Sequence, residues 1–293
     1  MRPHATYCAL GLLILMSVLR SPAQAQGTPI PSPAAVGQAS PPAEQKSHRL
    51  RFPIGIDRVP EEAREKMPLP FGIGMNFFGS REEYLFSSAS VSMNGQPIPP
   101  QMMILDSLTV IQRSRTLRLD CWLLPFMNVY AINGTFSGKA RDIKASMVGQ
   151  SIPLPEEIPF RGTNTGMGVT LAAGYKSMFF TYDWNTSWAK LNLASGRVPT
   201  ITQGPRIGVV FERPNVRADV YVGGFKENVS GNTEGSIAFT GIGLFDYDVT
   251  VRPESAWNYV LGADVELQKQ LQISYEHGFG KRTHNMLSVT GRS

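Results

Sequence analysis

From Pro68 to the end, the chain is written in segments of about ten residues in which apolar and small-or-polar side chains alternate, separated by Gly, Pro and Asn. Successive side chains of an extended strand point to opposite faces, so a period of two gives strands with one greasy and one polar face. Phe71, Ile73, Met75 and Phe77 share a face against Gly72, Gly74 and Asn76, and Leu117, Leu119, Cys121 and Leu123 oppose Arg118, Asp120 and Trp122. Tyr130, Ile132 and Phe136 are expected to oppose Asn133, Thr135 and Ser137. The pattern recurs from Met167 to Tyr175, Phe180 to Trp188, Ile207 to Phe211 and Val216 to Val222. It returns from Trp257 to Val265, Leu271 to Tyr275 and Leu287 to Val289.

Strands of this kind fit either a sandwich or a barrel. The rest of the chain separates the two. No apolar run after residue 25 approaches the roughly 20 residues that a membrane-spanning helix needs. The greasy faces are rich in aromatics near segment ends, as interfacial girdles require, while the opposite faces carry charges and glycines that suit a narrow polar interior. Strands can cross a bilayer only in a closed barrel, because hydrocarbon offers no hydrogen-bond partners to a free edge. The expectation is therefore all-β: a transmembrane antiparallel up-and-down β-barrel over residues 68–293, with a soluble exported β-sandwich as the rival.

The N-terminal part points to export. Arg2 precedes an uncharged, largely apolar stretch from Ala5 to Leu19, Ser21-Pro22 breaks it, and Ala23-Gln24-Ala25 forms a small-residue cleavage site. Residues 1–25 thus read as a signal peptide. Cleavage removes Cys8 and leaves Cys121 as the single cysteine, so the exported chain closes no internal disulfide. It also removes Arg2 and Arg20, lowering the formal charge from +5 to +3, too small and scattered an excess for a nucleic-acid partner. Residues 26–67 form a Pro-rich periplasmic linker, read as disordered over its Pro/Ala/Ser/Gln tract. A short helix or a plain solvated segment accounts equally for Pro60 to Lys66, where Pro precedes a run of acids.

Turn lengths set the orientation. The connections at Leu124-Pro125-Phe126, Lys176-Ser177, Arg213-Pro214-Asn215 and Gln268-Lys269-Gln270 are tight, and they alternate with mostly long ones at 142–162, 195–200 and 230–256. Outer-membrane barrels keep short turns in the periplasm and long loops outside. Strand number depends on residues 79–112. Tyr84 to Met93 and Met102 to Ile111 form one tall hairpin of a ten-strand barrel if their connection is external, or add two strands for twelve. Asp106 interrupts the apolar face of the second stretch, which favours ten.

The run from Leu123 to Tyr130, Gly166 to Tyr175, Pro205-Arg206-Ile207-Gly208, Trp257-Asn258-Tyr259 and Glu276 to Arg282 resemble bacterial outer-membrane β-barrel proteins, within an uncharacterised group. The resemblance covers about residues 68–293 and implies the outer membrane of a Gram-negative bacterium as location, with membrane lipid and the barrel assembly machinery as partners. Such barrels usually end in Phe, whereas this chain ends Thr290-Gly291-Arg292-Ser293.

Chemistry-bearing patterns are sparse. Barrel lipid hydrolases pair His with a Ser two residues on, but His277 is followed by Gly278-Phe279 and His284 by Asn285-Met286. Asp246 and Asp248 lack the Gly turn and terminal Glu of a calcium loop. The chain is therefore expected to be no enzyme and to use no cofactor or metal. By parity the lumen-facing charges are Arg118, Lys139, Arg206, Arg217 and Arg292 against Asp120, Asp183, Glu212, Asp219, Asp264, Glu266 and Glu276, with Arg141 beside Lys139. Near-balanced signs in a narrow barrel point to pairing, and leave open a structural salt-bridge core or a small polar conduit. Ile237, Phe239, Leu244 and Phe245 mark an apolar stretch in the longest loop that would meet an extracellular or periplasmic protein partner, or cap the barrel mouth. The expected function is a structural or surface-interaction barrel; the alternative is a narrow channel for small polar solutes.

Overall fold

The computed structural model describes residues 52–147, 150–151, 156–194, 196–229, 232–239 and 243–293. The signal peptide and the linker up to residue 51 lie outside the described residues, as do the side chains of Ile237 and Phe239.

Ten strands form the wall: β1 (Phe71–Met93), β2 (Ser107–Leu124), β3 (Met127–Arg141), β4 (Glu157–Tyr175), β5 (Met178–Leu191), β6 (Arg197–Arg213), β7 (Val216–Val229), β8 (Trp257–Leu267), β9 (Leu271–Phe279) and β10 (Arg282–Arg292). Each pairs antiparallel with its neighbours in sequence. β1 pairs with β2 from Phe71 to Leu85 and with β10 from Gly72 to Glu82, so the meander closes on itself and the barrel has no free edge. The tight connections at 125–126, 176–177, 214–215 and 268–270 lie at one end, where Lys176 and Asn215 adopt positive φ to reverse the chain within two residues; at the other end only Gly280-Lys281, among the described connections between wall strands, is as short.

Above its pairing with β10, β1 continues as a tall strand. There Tyr84 to Met93 pairs with Gly243–Pro253, the second arm of a hairpin whose first arm is Asn232–Phe239. The hairpin extends the wall above β10 at the long-loop end. This is the tall extension that ten strands require. Before β1, a 3-10 turn (Ile56–Arg58) and the short helix α1 (Glu61–Glu65) precede the barrel.

The outward face carries an apolar belt. Ile73, Leu119, Met167, Phe180, Val222, Leu261 and Tyr275 all stand exposed, Ile73 by 58%. Trp184, Trp257, Tyr259 and Tyr175 stand exposed with them. A water-soluble protein does not surround itself with such a belt, and a closed barrel that wears one spans a membrane. No helix among the described residues is long and apolar enough to do so. The inward face is polar: Asn128, Asp120, Asn258, Glu276, Arg282 and His284 are buried.

Nine of the ten wall segments face as their alternation predicts, and β3 is reversed. Tyr130 is buried and Ile132 lines the lumen, while Asn133, Thr135 and Ser137 face out. Register decides this. Tyr130 pairs with Asp120 on one side and Gly168 on the other, and both are inward residues. A bulge between Trp122 and Leu124 sets the parity across the tight turn. The upper half of β3 lies above the belt, where polar residues face water or headgroups and hydropathy no longer separates inside from outside. Lys139 therefore faces outward and not into the lumen, and pairs with Glu157 at 2.7 Å. Arg141 binds the same carboxylate at 3.0 Å.

Candidate functional site

Among the described residues, the lumen is where strands from around the ring bring charged side chains of both signs together. Its inward residues fall into connected groups, built on a repeated device in which a large side chain lies across a glycine of the adjacent strand. Tyr130 covers Gly168, Tyr221 covers Gly262, and His284 covers Gly278; a Cβ at any of these glycines would overlap the ring. Glycine in these strands makes room for the interior side chains.

Nearest the short-turn end, Asp120 is fully buried and accepts hydrogen bonds from Arg292 Nη1 at 2.9 Å and Asn128 Nδ2 at 2.7 Å. Arg118 donates to Asn128 Oδ1 at 3.1 Å and lies over the Tyr130 ring, 3.7 Å from its centroid. The Tyr130 hydroxyl donates to Asp183 at 2.8 Å, and Thr170 donates to the same carboxylate at 2.7 Å. Five strands, β2, β3, β4, β5 and β10, are tied by this one network.

Across the lumen, Glu276 on β9 is the centre of a second group. Arg206 Nε of β6 donates to it at 2.7 Å, Tyr221 of β7 at 3.2 Å, and His284 Nε2 of β10 lies 3.4 Å from its other oxygen. The His284 ring sits between Phe78 and Phe225, with centroids 5.4 and 5.5 Å away. Nearer the long-loop end, Arg282 makes a two-pronged pair with Glu82, at 2.8 and 2.7 Å, and reaches Glu227 at 3.1 Å. Tyr84 donates to Glu227 at 3.3 Å. The fork geometry of guanidinium against carboxylate makes this pair directional as well as attractive.

Arg118, Asp120, Asp183, Arg206, Glu276 and Arg292 thus all take part in interior bonds. Asp219 and Asp264 face each other in register on β7 and β8, with Arg217 and Glu266 as the next inward register pair toward the short turns. Glu212 lies at the rim and pairs with Lys66 at 2.7 Å. Between the groups is a cavity of about 350 Å³, lined by Asn76, Thr116, Thr181, Gln272 and Ser288 among others.

The sequence reading omitted Glu82, Tyr84, Glu227, Arg282 and His284 from the interior. Their parity was readable: Glu82 is in phase with Gly74 and Asn76, Glu227 with Asp219 and Tyr221, and Arg282 and His284 with Ser288 and Thr290. They lie where the apolar pattern fades, and look like loop residues. His277 and His284 point to opposite sides of the wall: His277 Nδ1 meets Asn285 at 2.9 Å on the outside, while His284 is buried within.

The mouth at the short-turn end is crossed by residues 52–70. Ile54 N donates to Leu123 O of β2 at 2.9 Å, and Trp122 N donates to Pro70 O at 2.8 Å. Further along, Lys66 reaches Glu212 of β6, Arg217 of β7 donates to Lys66 O at 3.4 Å, and Lys269 donates to Glu65 O. The segment is tied to β2 at one end and to strands across the ring at the other.

In the long outer loop, Leu244 is 44% exposed, but Phe245 is only 8% exposed and so belongs to the packed extension, not to an open docking face. Asp246 accepts from Ser236 and Ser92 within the extension.

No protein-family model and no curated protein matches the chain. Among solved structures it is similar to the outer membrane protein OprG from Pseudomonas aeruginosa, at 11% identity over 78% of this chain and 98% of that one, with a TM-score of 0.42. It is similar to the translocator domain of the autotransporter NalP from Neisseria meningitidis, at 9% identity over 76% and 88%, TM-score 0.38. It is also similar to LpxR from Salmonella typhimurium, at 10% identity over 76% and 100%, TM-score 0.31.

Proposed function

We propose that the protein is a resident β-barrel of a Gram-negative outer membrane whose lumen is a structural ion-pair core and whose work is done on its outer surfaces. The observation that carries this reading is the interior itself. Arg206–Glu276 and Arg282–Glu82–Glu227 span the lumen from different strands, with side chains 16% exposed or less. A solute pore leaves its wall charges open to water, whereas these charges of opposite sign hold one another and are little exposed. The segment 52–70 across the mouth supports the same reading, because it occupies the path a solute would take on the periplasmic side.

The tall extension formed by β1 and the 232–253 hairpin carries the wall beyond the membrane. Its tip and the neighbouring loop expose Met93, Met102, Ile104 and Leu244. These residues are the surface on which a partner protein would dock. The test is conductance of the purified full chain in planar bilayers. The lumen reading calls for silence at physiological salt. Reproducible open steps would overturn it in favour of a narrow channel for small polar solutes.

A further inference from the structure

The outer wall over β1 to β4 joins a short apolar run to a cluster of arginines. On β1 the exposed apolar run extends from Phe71 to Phe77 and on β2 from Leu117 to Leu123, each about 20 Å at ~3.3 Å per residue. On β8 it extends from Trp257 to Leu267, about 33 Å by the same rise. Immediately above the short run, on the long-loop side, the same outward face carries Arg81, Arg113, Arg115 and Arg161, all exposed. Register brings them together: Gly79, Arg113, Ser137 and Arg161 form one row across four strands, and Phe77, Arg115, Thr135 and Thr163 form the row below. Arg113 and Arg161 are two strands apart, roughly 10 Å.

Among the described residues, none of these four arginines has a carboxylate within ion-pair distance; the nearby acids are engaged elsewhere, Glu157 by Lys139 and Arg141, and Glu83 by Lys144. A cleft of about 650 Å³ opens beside Arg113 and Arg115, lined also by Phe77, Thr135, Phe136 and Ser137 among others; Arg81 and Arg161 stand outside its lining. Below the two arginine rows the outward face is apolar, with Met75 beside Leu117, while the rows themselves carry guanidinium and hydroxyl groups. Guanidinium pairs with phosphate in a two-pronged geometry, and hydroxyls add donors to the remaining oxygens.

We infer that this wall is a binding site for a phosphate-bearing lipid of the leaflet on the long-loop side. Its acyl chains lie along Phe77, Leu117 and Met167, and its phosphates sit among Arg113, Arg115, Arg161 and Arg81. The belt beneath fixes the source as a lipid and not a soluble phosphate, because the cations stand on the lipid-facing wall at the upper limit of the hydrocarbon. The inference rests on the outer-membrane placement but not on the filled lumen; a conducting barrel would leave it intact.

The test uses the full chain in detergent with lipid A carrying its two phosphates, the same lipid dephosphorylated, and native mass spectrometry of the bound species. The wild-type protein should hold the phosphorylated lipid at least about tenfold more tightly than the dephosphorylated one, and the triple variant R113Q/R115Q/R161Q should lose that preference. The variant R252Q, on the hairpin, should keep it. Heat-modifiable gel migration reports whether each variant is folded. If the triple variant does not fold, each single substitution should reduce the preference. Equal retention of the two lipids by the wild type, an unchanged preference in the folded variants, or displacement of the lipid by inorganic phosphate at matched concentration would each overturn the inference.

Discussion

Replacing Glu276 by Ala tests whether the lumen is a dry, paired core or a wet conduit, because the two predict different magnitudes. In the structure the Glu276 side chain is 2% exposed, and Arg206 beside it 16%. Glu276→Ala leaves the Arg206 guanidinium without its 2.7 Å partner and also strips acceptors from Tyr221 and His284. Breaking one partner of a buried ion pair costs about 3–5 kcal/mol, most of it the penalty of an uncompensated buried charge. In a wet lumen the same pair would be screened and worth about 0.2–1 kcal/mol. Glu276→Gln keeps the shape and loses the charge, and should fall between these limits. R206M/E276L removes both charges together and should recover most of the loss. The assay is urea unfolding in phospholipid vesicles followed by tryptophan fluorescence, for which the chain has four reporters. A Glu276→Ala variant within about 1 kcal/mol of wild type would refute the buried-pair reasoning.

Other perturbations have outcomes as definite. Val169→Arg places a charge on the outward face and should lose about 2–4 kcal/mol of insertion free energy near midplane, whereas Thr170→Arg, beside Asp183 within, should insert more readily; folding yield into vesicles compares them. Gly262→Ala forces a methyl against the Tyr221 ring and should cost about 1–3 kcal/mol in the same unfolding assay. Lys66→Ala removes an exposed pair at the mouth and should change stability by less than about 1 kcal/mol. In the outer turn, the hydrogen bond from Lys281 to Glu254 at 2.7 Å raises the lysine pKa. That contribution is full at neutral pH and is lost only as the pH rises through the raised value, so Glu254→Gln should lower the Lys281 pKa in an NMR titration.

The fold was legible because a belt and a lumen enforce opposite chemistry on neighbouring residues. Where both are present, as from Trp257 to Val265, alternation alone assigns the face of every side chain. Above the belt that contrast vanishes. The β3 residues Asn133, Thr135 and Ser137 look like an inner face but point out, and only their register with β2 and β4 reveals it. The misplacement of Lys139 follows from the same cause. Tyr130 was misleading for a related reason: an aromatic ring with a hydroxyl serves an interfacial girdle or a buried hydrogen bond equally well, and only the position of Asp183, 53 residues away, selects the second. The pairing of individual charges was not readable either, since Arg282 with Glu82 or Arg206 with Glu276 depends on closure of the ring. Lumen parity could name the groups but not who holds whom. The exposed arginines of the β1–β4 wall went unread because an arginine outside a membrane barrel has meaning only once the height of the belt is known.

The claim on which all of this rests is that alternate residues of each strand touch hydrocarbon while their neighbours line an enclosed interior. The direct measurement is a nitroxide scan from Val129 to Ser137 and from Met167 to Ala173, one site at a time in a Cys121→Ser background, reading collision with oxygen in lipid bilayers. The account predicts a two-residue period in both segments, with Val129, Ala131, Met167, Val169 and Leu171 open to dissolved oxygen and Tyr130, Ile132, Gly168 and Thr170 protected. A scan without that period, or one in which Tyr130 and Ile132 are the oxygen-accessible members, would contradict it.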